Sequence, residues 1–375
     1  MSAEPIWVAT PEKFSGMLKN LEQQVVVAVD TESNSLYVYH EQVCLIQFST
    51  ETVDYLVDPL SLADLSPLAP FFADPKIEKV FHAAEYDLIC MKRDFGFTFA
   101  NLFDTMAAGR ILGLTRIGLA AILEDEFGVL LDKRFQRANW GVRPLSQPML
   151  IYAREDTHYL IPLRNRLKSR LDSEGRWQIA QEDFKRQCDV EIPEVENAGG
   201  CWRRVAGNNE LTHRQVAVIQ ELCRQRDRWA MQADLPPFKV LANEVLLKIA
   251  LDSPKTMDDL AQVRGLNSHA VNRYGSRLLD VVKKAQKIQR ESSLVGSRPN
   301  PSYMARLEAL HTWRKQMGLK WKVESDVILP RDVMVDIAES GCQNPDHMQI
   351  LMHTVPWRFT QFGADILQVL VKAQK

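Results

Sequence analysis

The amino-acid sequence predicts an α/β domain with a mixed sheet, followed by two small all-helical domains. Short β-branched runs in the front half give way to helical patterns, which is typical of a sheet flanked by helices. The rear half is helical in pattern and contains an internal repeat. Residues 240–250 align with 328–338, and residues 274–287 align with 362–375 at the same offset. Because unrelated helices would not share one register, we interpret this repeat as two copies of one helical domain.

The front-domain elements are predicted in chain order: a helix at 11–21, strands at 25–30, 43–48, 53–57 and 78–81, and helices to about residue 185. Pro11 suits the first turn of its helix. The polar residues 49–52 predict a hairpin between the second and third strands. A polar, proline-containing loop at 131–148 interrupts the helices.

Breaks in periodicity set the predicted domain boundaries. They give a front domain at 1–190, a linker at 191–209, a helical domain at 210–290, a linker at 291–301 and a second helical domain at 302–375.

Composition places the chain among globular proteins. Of its 375 residues, 46% are hydrophobic and 25% are charged. It has no run of about 18 apolar residues and no secretion signal, so we expect a cytoplasmic protein that does not span a membrane. Six scattered cysteines without a C-x-x-C pair predict reduced thiols rather than disulfides or a zinc site.

Charge is distributed unevenly along the chain. Residues 1–190 carry 20 Lys and Arg against 27 Asp and Glu, whereas residues 191–375 carry 26 against 21. An acidic front half and a basic rear half predict that the front holds cations and the rear holds a polyanion.

Two carboxylates lie at the end of the first strand, after its apolar run at 25–29. Asp30 and Glu32 are two positions apart, so in a strand they point to the same side. Two like charges at one place favour a divalent metal ion between them. A solvated acidic turn is the structural alternative.

Further acidic and aromatic residues accompany this pair. Asp87 follows the strand at 78–81, and we expect it just beyond the first turn of a helix. Tyr152 and Asp156 are four residues apart and share one helix face. Asp104 is either a further site carboxylate or a helix cap. Taken singly, Asp87 could be a surface acid and Tyr152 a half-buried aromatic.

The ordered set is more specific: Asp-x-Glu at a strand end, His-x4-Asp, then Tyr-x3-Asp. It resembles the DEDDy 3′–5′ exonucleases and, within them, the ribonuclease D family, over about residues 25–170. The first repeat resembles an HRDC domain in Arg228-Trp229 and in the Asp-Leu-Pro-Pro-Phe segment that starts at Asp234. The second repeat is a diverged copy without that segment. The resemblance implies a ribonuclease H-like exonuclease fold followed by two helical-bundle HRDC domains.

The resemblance also implies a mechanism. Asp30, Glu32, Asp87 and Asp156 would hold two Mg²⁺ ions, with Mn²⁺ as a plausible substitute, and Tyr152 would place the attacking water. Two such ions suit phosphodiester hydrolysis. The implied activity trims the 3′ ends of RNA, such as tRNA precursors, to 5′-mononucleotides, and we expect a monomer.

Several residues are candidates for substrate binding: His82, Lys133, Arg134, Arg137, Trp140 and Arg154. Cations and aromatics together suit a single-strand channel. Alternatively, Trp140 anchors a solvated loop and His82 is a hydrogen-bonded histidine at a strand end. A phosphate-tracking face of the first helical domain is predicted at Arg224, Arg226, Arg228, Lys239, Arg264, Arg273 and Arg277.

Two other functions stay open from the sequence. One is a DNA exonuclease on the same fold, because no residue reveals how a 2′-hydroxyl would be sensed. The other is a catalytically idle scaffold that binds nucleic acid.

Overall fold

A computed structural model describes residues 4–193, 200–286 and 300–373, which form two compact units. The first unit comprises the described parts of residues 1–33, 43–192 and 299–375. The second comprises residues 34–42 and the described parts of 193–298. Within these residues no helix combines the length and apolar character needed to cross a membrane.

A six-stranded mixed sheet forms the centre of the first unit, which confirms the predicted fold class. Its strands are β1 (Ile6–Val8), β2 (Val26–Ser33), β3 (Val43–Ser49), β4 (Asp54–Val57), β5 (Glu78–Phe81) and β6 (Leu102–Asp104). They lie in the order β1-β4-β3-β2-β5-β6. The β2, β3 and β4 strands are antiparallel, and β1, β5 and β6 each pair in parallel with a neighbour.

Helices of the front domain cover this sheet. They are α1 (Pro11–Leu21), α2 (Ala69–Ala73), α3 (Glu85–Phe95), α4 (Thr105–Ile111), α5 (Leu119–Phe127), α6 (Gln147–His158), α7 (Leu160–Ser173) and α8 (Trp177–Cys188), with a 3₁₀ turn at Ser66–Leu68.

Among the described residues of the second unit there are six further helices: α9 (Trp202–Ala206), α10 (His213–Ala233), α11 (Pro237–Val240), α12 (Asn243–Asp252), α13 (Met257–Ala261) and α14 (Ser268–Gln286). The C-terminal domain, in the first unit, contains α15 (Pro301–Trp321), α16 (Ser325–Ile328), α17 (Arg331–Ser340), α18 (Pro345–Leu351) and α19 (Pro356–Ala373).

The β2 strand is buried as its sequence predicts. Val27, Ala28 and Val29 are fully buried. Val25 is 78% exposed, and the strand begins at Val26 rather than at residue 25. At its other end, the pairing with β3 shifts register between Glu32 and Ser33. Such a bulge re-aims side chains at the edge of a site.

The same buried hydrogen bond occurs in both helical repeats. Arg226 Nη1 donates to the carbonyl of Leu241 at 3.0 Å, and Arg314 Nη1 donates to the carbonyl of Leu329 at 3.0 Å. Both arginines are buried. This supports the interpretation of two copies of one domain, although residues 287, 374 and 375 of the aligned segments lie outside the described residues.

The predicted phosphate-tracking role of Arg226 was therefore wrong, because the residue is 6% exposed and its guanidinium bonds to the backbone. Lys239 lies over the ring of Tyr37, 4.3 Å from its centroid, within the second unit. Arg224 pairs with Glu221 at 2.7 Å.

The prediction of six reduced cysteines was also wrong for one pair. Cys201 and Cys223 form a disulfide in the second unit, with their Cα atoms 6.2 Å apart. The two cysteines meet because α9 packs against α10. They are 22 residues apart in the sequence, and no local pattern predicts a disulfide at that spacing. Cys44, Cys90, Cys188 and Cys342 are buried and lie outside this disulfide.

Within the first unit, one buried and one exposed set of ion pairs join the C-terminal domain to α8. Arg358 is fully buried, and its Nη1 lies 3.0 Å from Glu182 and 2.9 Å from Asp183. Arg186 pairs with Asp332 at 2.7 Å. These charges are far apart in the sequence, so only the folded chain brings them together.

Candidate active site

The carboxylates at the end of β2 open into a cavity of about 490 Å³. Its lining residues are Asp30, Thr31, Glu32, His82, Asp87, Gly118, Leu119, Ala120, Ala121, Leu131, Asp132, Lys133, Gln136, Tyr152 and Asp156. The structure thus places all five predicted catalytic residues around one cavity.

Asp87 reaches this cavity because β5 runs parallel to β2, so both strands end at the same edge of the sheet. The chain leaves β5 through a turn at 82–84 and enters α3 at Glu85. Asp87 lies in the first turn of α3, slightly earlier than predicted, and is 8% exposed. The Thr31 hydroxyl donates a hydrogen bond to its Oδ1 atom.

Tyr152 and Asp156 enter from α6, which packs against β2, β3 and β4. The Tyr152 ring lies 6.0 Å from the ring of Phe135 and 5.9 Å from that of Trp140. Trp140 is 1% exposed, so this packing fixes the tyrosine from behind. The Tyr152 hydroxyl is hydrogen-bonded to Asp156.

A polar network behind α6 anchors the helix to the sheet. Asp54 of β4 accepts from Arg154 Nε at 2.7 Å and lies 2.9 Å from His158 Nδ1. Ser49 of β3 donates to Asp54 at 2.6 Å and bonds to Thr157 at 2.7 Å. Arg154, Thr157 and His158 of α6 take part in this network and lie next to Asp156 in the sequence. The network therefore fixes the position of α6 on the sheet and its rotation about its own axis.

Burial and mutual repulsion make the charged forms of the strand carboxylates unfavourable. Burial raises the pKa of Asp30, and the charges of Asp87, Asp156 and Glu32 raise it further. Burial likewise raises the pKa of Glu32, with the charges of Asp156 and Asp87 adding to the effect. A cation placed among these groups would reverse this cost.

The two helix carboxylates behave similarly. Burial raises the pKa of Asp87 to about 7, although the Thr31 hydrogen bond opposes the change. Burial also raises the pKa of Asp156 to about 7, against the hydrogen bond from Tyr152. For Tyr152 itself, burial raises the pKa, and the charges of Asp156, Glu32 and Asp30 add to it. Tyr152 therefore stays a neutral phenol at physiological pH.

His82 lines the cavity in a defined tautomer. The Thr105 hydroxyl donates to the carbonyl of Phe81 at 3.1 Å. Because a hydroxyl has one hydrogen, Thr105 must accept from His82 Nδ1, which lies 2.9 Å away. This leaves Nε2 as a hydrogen-bond acceptor. Burial lowers the pKa of His82, and the charge of Asp104 partly offsets this effect. The lowered pKa favours the neutral form of the imidazole.

The remaining substrate-binding candidates are scattered. Lys133 is exposed and lines the cavity. Arg134 is exposed and pairs with Asp132 at 2.6 Å, and Arg137 is exposed outside the cavity lining. Trp140 lies in the core and presents no face to a base, as the structural alternative expected. Arg154 is a residue of α6 whose guanidinium bonds to Asp54 of β4.

Sequence reasoning missed several lining residues. Thr31 lies between the two strand carboxylates and bonds to Asp87. Residues 118–121 bring the start of α5 to the cavity, and Gln136 joins from the loop before α6. Small residues at a helix start carry no chemical pattern. Thr31, as part of Asp-Thr-Glu, could have been noticed from its position.

The donor set suits a hard divalent cation. In the part of the chain that the structure describes, no three His, Cys, Asp or Glu side chains are already arranged as a metal site. Even so, four carboxylates around one cavity supply the oxygen ligands that Mg²⁺ and Mn²⁺ prefer. Burial is the main cause of the raised pKa values of Asp30 and Glu32, and the like charges that add to it are ones a cation would neutralise.

Comparison with known proteins agrees with this geometry. Residues 5–172 match the 3′-5′ exonuclease domain family, and residues 215–282 and 304–370 each match the HRDC domain. Ribonuclease D of Gluconacetobacter diazotrophicus is 30% identical over 318 residues, which span 82% of this chain and 80% of the relative. The chain belongs to the ribonuclease D family. The expected family and its exonuclease domain are thereby confirmed.

Two further relatives support this membership. The crystal structure of Escherichia coli RNase D, described as an exoribonuclease involved in structured RNA processing, superposes with a TM-score of 0.72 at 25% identity and covers 99% of both chains. The exosome complex exonuclease RRP6 of Saccharomyces cerevisiae is 32% identical across 73% of this chain. The chain spans 39% of the length of that yeast relative.

Proposed function

We propose that this ribonuclease D family member hydrolyses RNA from the 3′ end and releases 5′-mononucleotides one at a time. One observation carries the proposal: the four carboxylates and the tyrosine of the family's ordered set line a single cavity. The HRDC match of the helical domains supports a nucleic-acid substrate. In this proposal the nuclease occupies residues 1–190, and the helical domains at 210–290 and 302–375 help to hold the RNA.

Asp30, Glu32 and Asp156 would hold one divalent ion, and Asp30 and Asp87 a second. Mg²⁺ is the proposed ion and Mn²⁺ a substitute. When bound, the two ions supply positive charge that lowers the pKa of a water and stabilises the leaving oxygen. The support for this assignment is the repulsion among these carboxylates, which a cation would relieve.

Tyr152 orients the attacking water rather than deprotonating it. Its hydroxyl hydrogen is donated to Asp156, so a lone pair of its oxygen is available to accept from water. Since its pKa is raised by burial and by neighbouring carboxylates, the phenol keeps its proton throughout. The rings of Phe135 and Trp140 restrict the position of the hydroxyl.

Substrate contacts are proposed for two of the cavity residues. Lys133 would neutralise a backbone phosphate. His82, as an Nε2 acceptor, would take a hydrogen bond from a hydroxyl of the terminal ribose. The substrates we propose are structured RNAs with short single-stranded 3′ tails, such as tRNA precursors. Monomeric state and cytoplasmic location stay predictions.

The test compares a 3′-tailed RNA hairpin with the same sequence as DNA, in Mg²⁺ and in EDTA. We expect stepwise 3′ shortening of the RNA, release of 5′-mononucleotides in the mass spectrum, slow cleavage of DNA, and no activity for Asp156→Ala. Asp132→Asn is the matched control, because it alters another cavity carboxylate that is paired with Arg134.

Three outcomes would contradict the proposal. Faster cleavage of DNA would make the protein a DNA exonuclease. Equal RNA binding by wild type and Asp30→Asn, with degradation by neither, would make it a scaffold. Activity that survives in Asp156→Ala would refute the assignment of the site.

A further inference from the structure

The turn between β5 and α3 contains a residue in a conformation that its side chain disfavours. Ala83 has a φ of +63°, in the left-handed region that glycine adopts readily and other residues rarely. The turn leads directly from His82 into α3, whose first turn carries Asp87. The positions of two cavity residues therefore depend on a strained backbone.

Asp104 holds this turn. It is 1% exposed, and its two carboxylate oxygens accept five N–H groups. Oδ1 accepts from the backbone of Ala83 at 3.1 Å, Met106 at 2.8 Å and Ala107 at 3.0 Å. Oδ2 accepts from the backbone of Ala84 at 2.8 Å and from the Gln187 amide at 2.9 Å. The residue is thus both the cap of α4 and the acceptor for the two N–H groups that follow His82.

The next residue fixes the other side of the turn. The Thr105 hydroxyl binds the carbonyl of Phe81 and accepts from His82 Nδ1. Asp104 is the last residue of β6, which pairs in parallel with β5, and Thr105 is the first residue of α4. Two adjacent residues therefore bind the chain before, at and after the strained position.

We propose that Asp104 is a positioning residue for catalysis. It holds the turn at 82–84 in the conformation that presents His82 and Asp87 to the cavity, and it does not bind the metal ions. Five donors occupy the roughly four lone-pair sites of its carboxylate. It is also not among the residues that line the cavity. This inference rests on the proposed nuclease function.

The test is Asp104→Asn combined with Ala83→Gly. Asparagine keeps one acceptor oxygen but replaces the other with an NH₂ group, which cannot accept a hydrogen bond. The backbone N–H groups that this oxygen bound in the wild type would then face another donor, so the turn loses part of its support. We expect kcat on the RNA hairpin to fall roughly 10- to 100-fold with little change in KM, since a small misplacement of reacting groups has this effect. Ala83→Gly should leave the wild-type rate unchanged and restore the rate of Asp104→Asn by roughly five-fold or more, because glycine adopts positive φ without strain.

Two controls separate positioning from general stability. Asn344 caps α18, and its Oδ1 accepts a hydrogen bond from the His347 backbone N–H at 2.9 Å. Asn344→Ala removes this cap and should lower Tm without changing kcat. If Asp104→Asn does not fold, Ala83→Val tests the turn with Asp104 in place. A branched side chain at this φ should lower kcat while the protein stays folded.

Wild-type kcat in Asp104→Asn or in Ala83→Val would overturn the inference. So would recovery of Asp104→Asn by ten-fold more Mg²⁺, which would indicate a role in ion binding, or a failure of Ala83→Gly to restore its rate. These results differ from a failure of the proposed function, in which the wild type itself does not shorten RNA.

Discussion

Replacing Asp156 with asparagine should stabilise the metal-free protein at alkaline pH although it abolishes activity. Burial raises the pKa of Asp156 from its usual 3.8 to about 7. At about 1.4 kcal/mol for each pH unit, the ionised carboxylate lowers the free energy of unfolding at pH 8 by about 4 kcal/mol. Because neighbouring carboxylates titrate together with it, we expect a measured gain of about 2 to 4 kcal/mol for the variant.

The sign of the pH dependence follows from proton binding. The folded state binds this proton more tightly than the unfolded chain does, so the free energy of unfolding falls as the pH rises from about 4 to about 7. Above that range the cost is constant, and below it the cost is absent. The asparagine of the variant carries no charge to bury, so the advantage of Asp156→Asn is full at pH 8 and falls to less than half at pH 5.

Urea unfolding in EDTA, followed by circular dichroism at both pH values, measures this difference. Asp64→Asn is the control, because hydrogen bonds from Ser66 lower the pKa of that exposed carboxylate, and its loss should bring no gain at pH 8. Millimolar Mg²⁺ should reduce the difference, since it binds the folded wild type more tightly than the variant. A variant less stable than wild type at pH 8, or an equal gain at both pH values, would refute the reasoning.

Three further substitutions test other parts of the first unit. Asp54→Ala leaves the buried Arg154 guanidinium without its carboxylate and should lower the free energy of unfolding by about 3–5 kcal/mol, measured by urea unfolding. Arg358→Met leaves Glu182 buried beside the C-terminal domain and should cost about 3–5 kcal/mol, seen as a lower Tm; an unchanged Tm would contradict this. Gln47→Met should raise stability by about 1–2 kcal/mol, because neither amide atom of Gln47 has a partner in the described structure.

One exposed substitution serves as the control for the change at Gln47. Gln23→Met alters an exposed glutamine and should leave stability unchanged. A stability loss in Gln47→Met would mean that the amide makes a bond in solution. Wild-type stability in Asp54→Ala would mean that the network behind α6 does not anchor that helix.

Local patterns were sufficient for the four longer strands of the sheet, the repeat and the carboxylates that line the cavity. Val27 to Val29 are apolar and consecutive, so burial on both faces of β2 follows from the residues themselves. Asp30 and Glu32 are two positions apart in a strand, and Tyr152 and Asp156 are about one turn apart in a helix. The periodicity of each element therefore places the two residues of each pair on the same side. The ordered set then indicated the family. The three-residue strands β1 and β6 were missed because they are too short to show a period.

Tertiary structure decided what each long polar or aromatic side chain does. Trp140, Arg154 and Arg226 are all residues of types that often bind nucleic acid. In the structure Trp140 packs in the core against Tyr152, Arg154 pairs with Asp54, and Arg226 bonds to a backbone carbonyl. Asp104 proved to be the cap that the sequence left as one of two options.

The reason is the range of the interactions. Periodicity fixes which residues share a face of one element, and that information lies within a few positions of the chain. Burial and hydrogen-bond partners depend on elements about a hundred positions away, as for Asp54 and Arg154, and no local pattern specifies them. The sequence by itself therefore determined the fold class, the family and the carboxylates of the site, whereas the packed structure determined which charges face the cavity and which support it from behind.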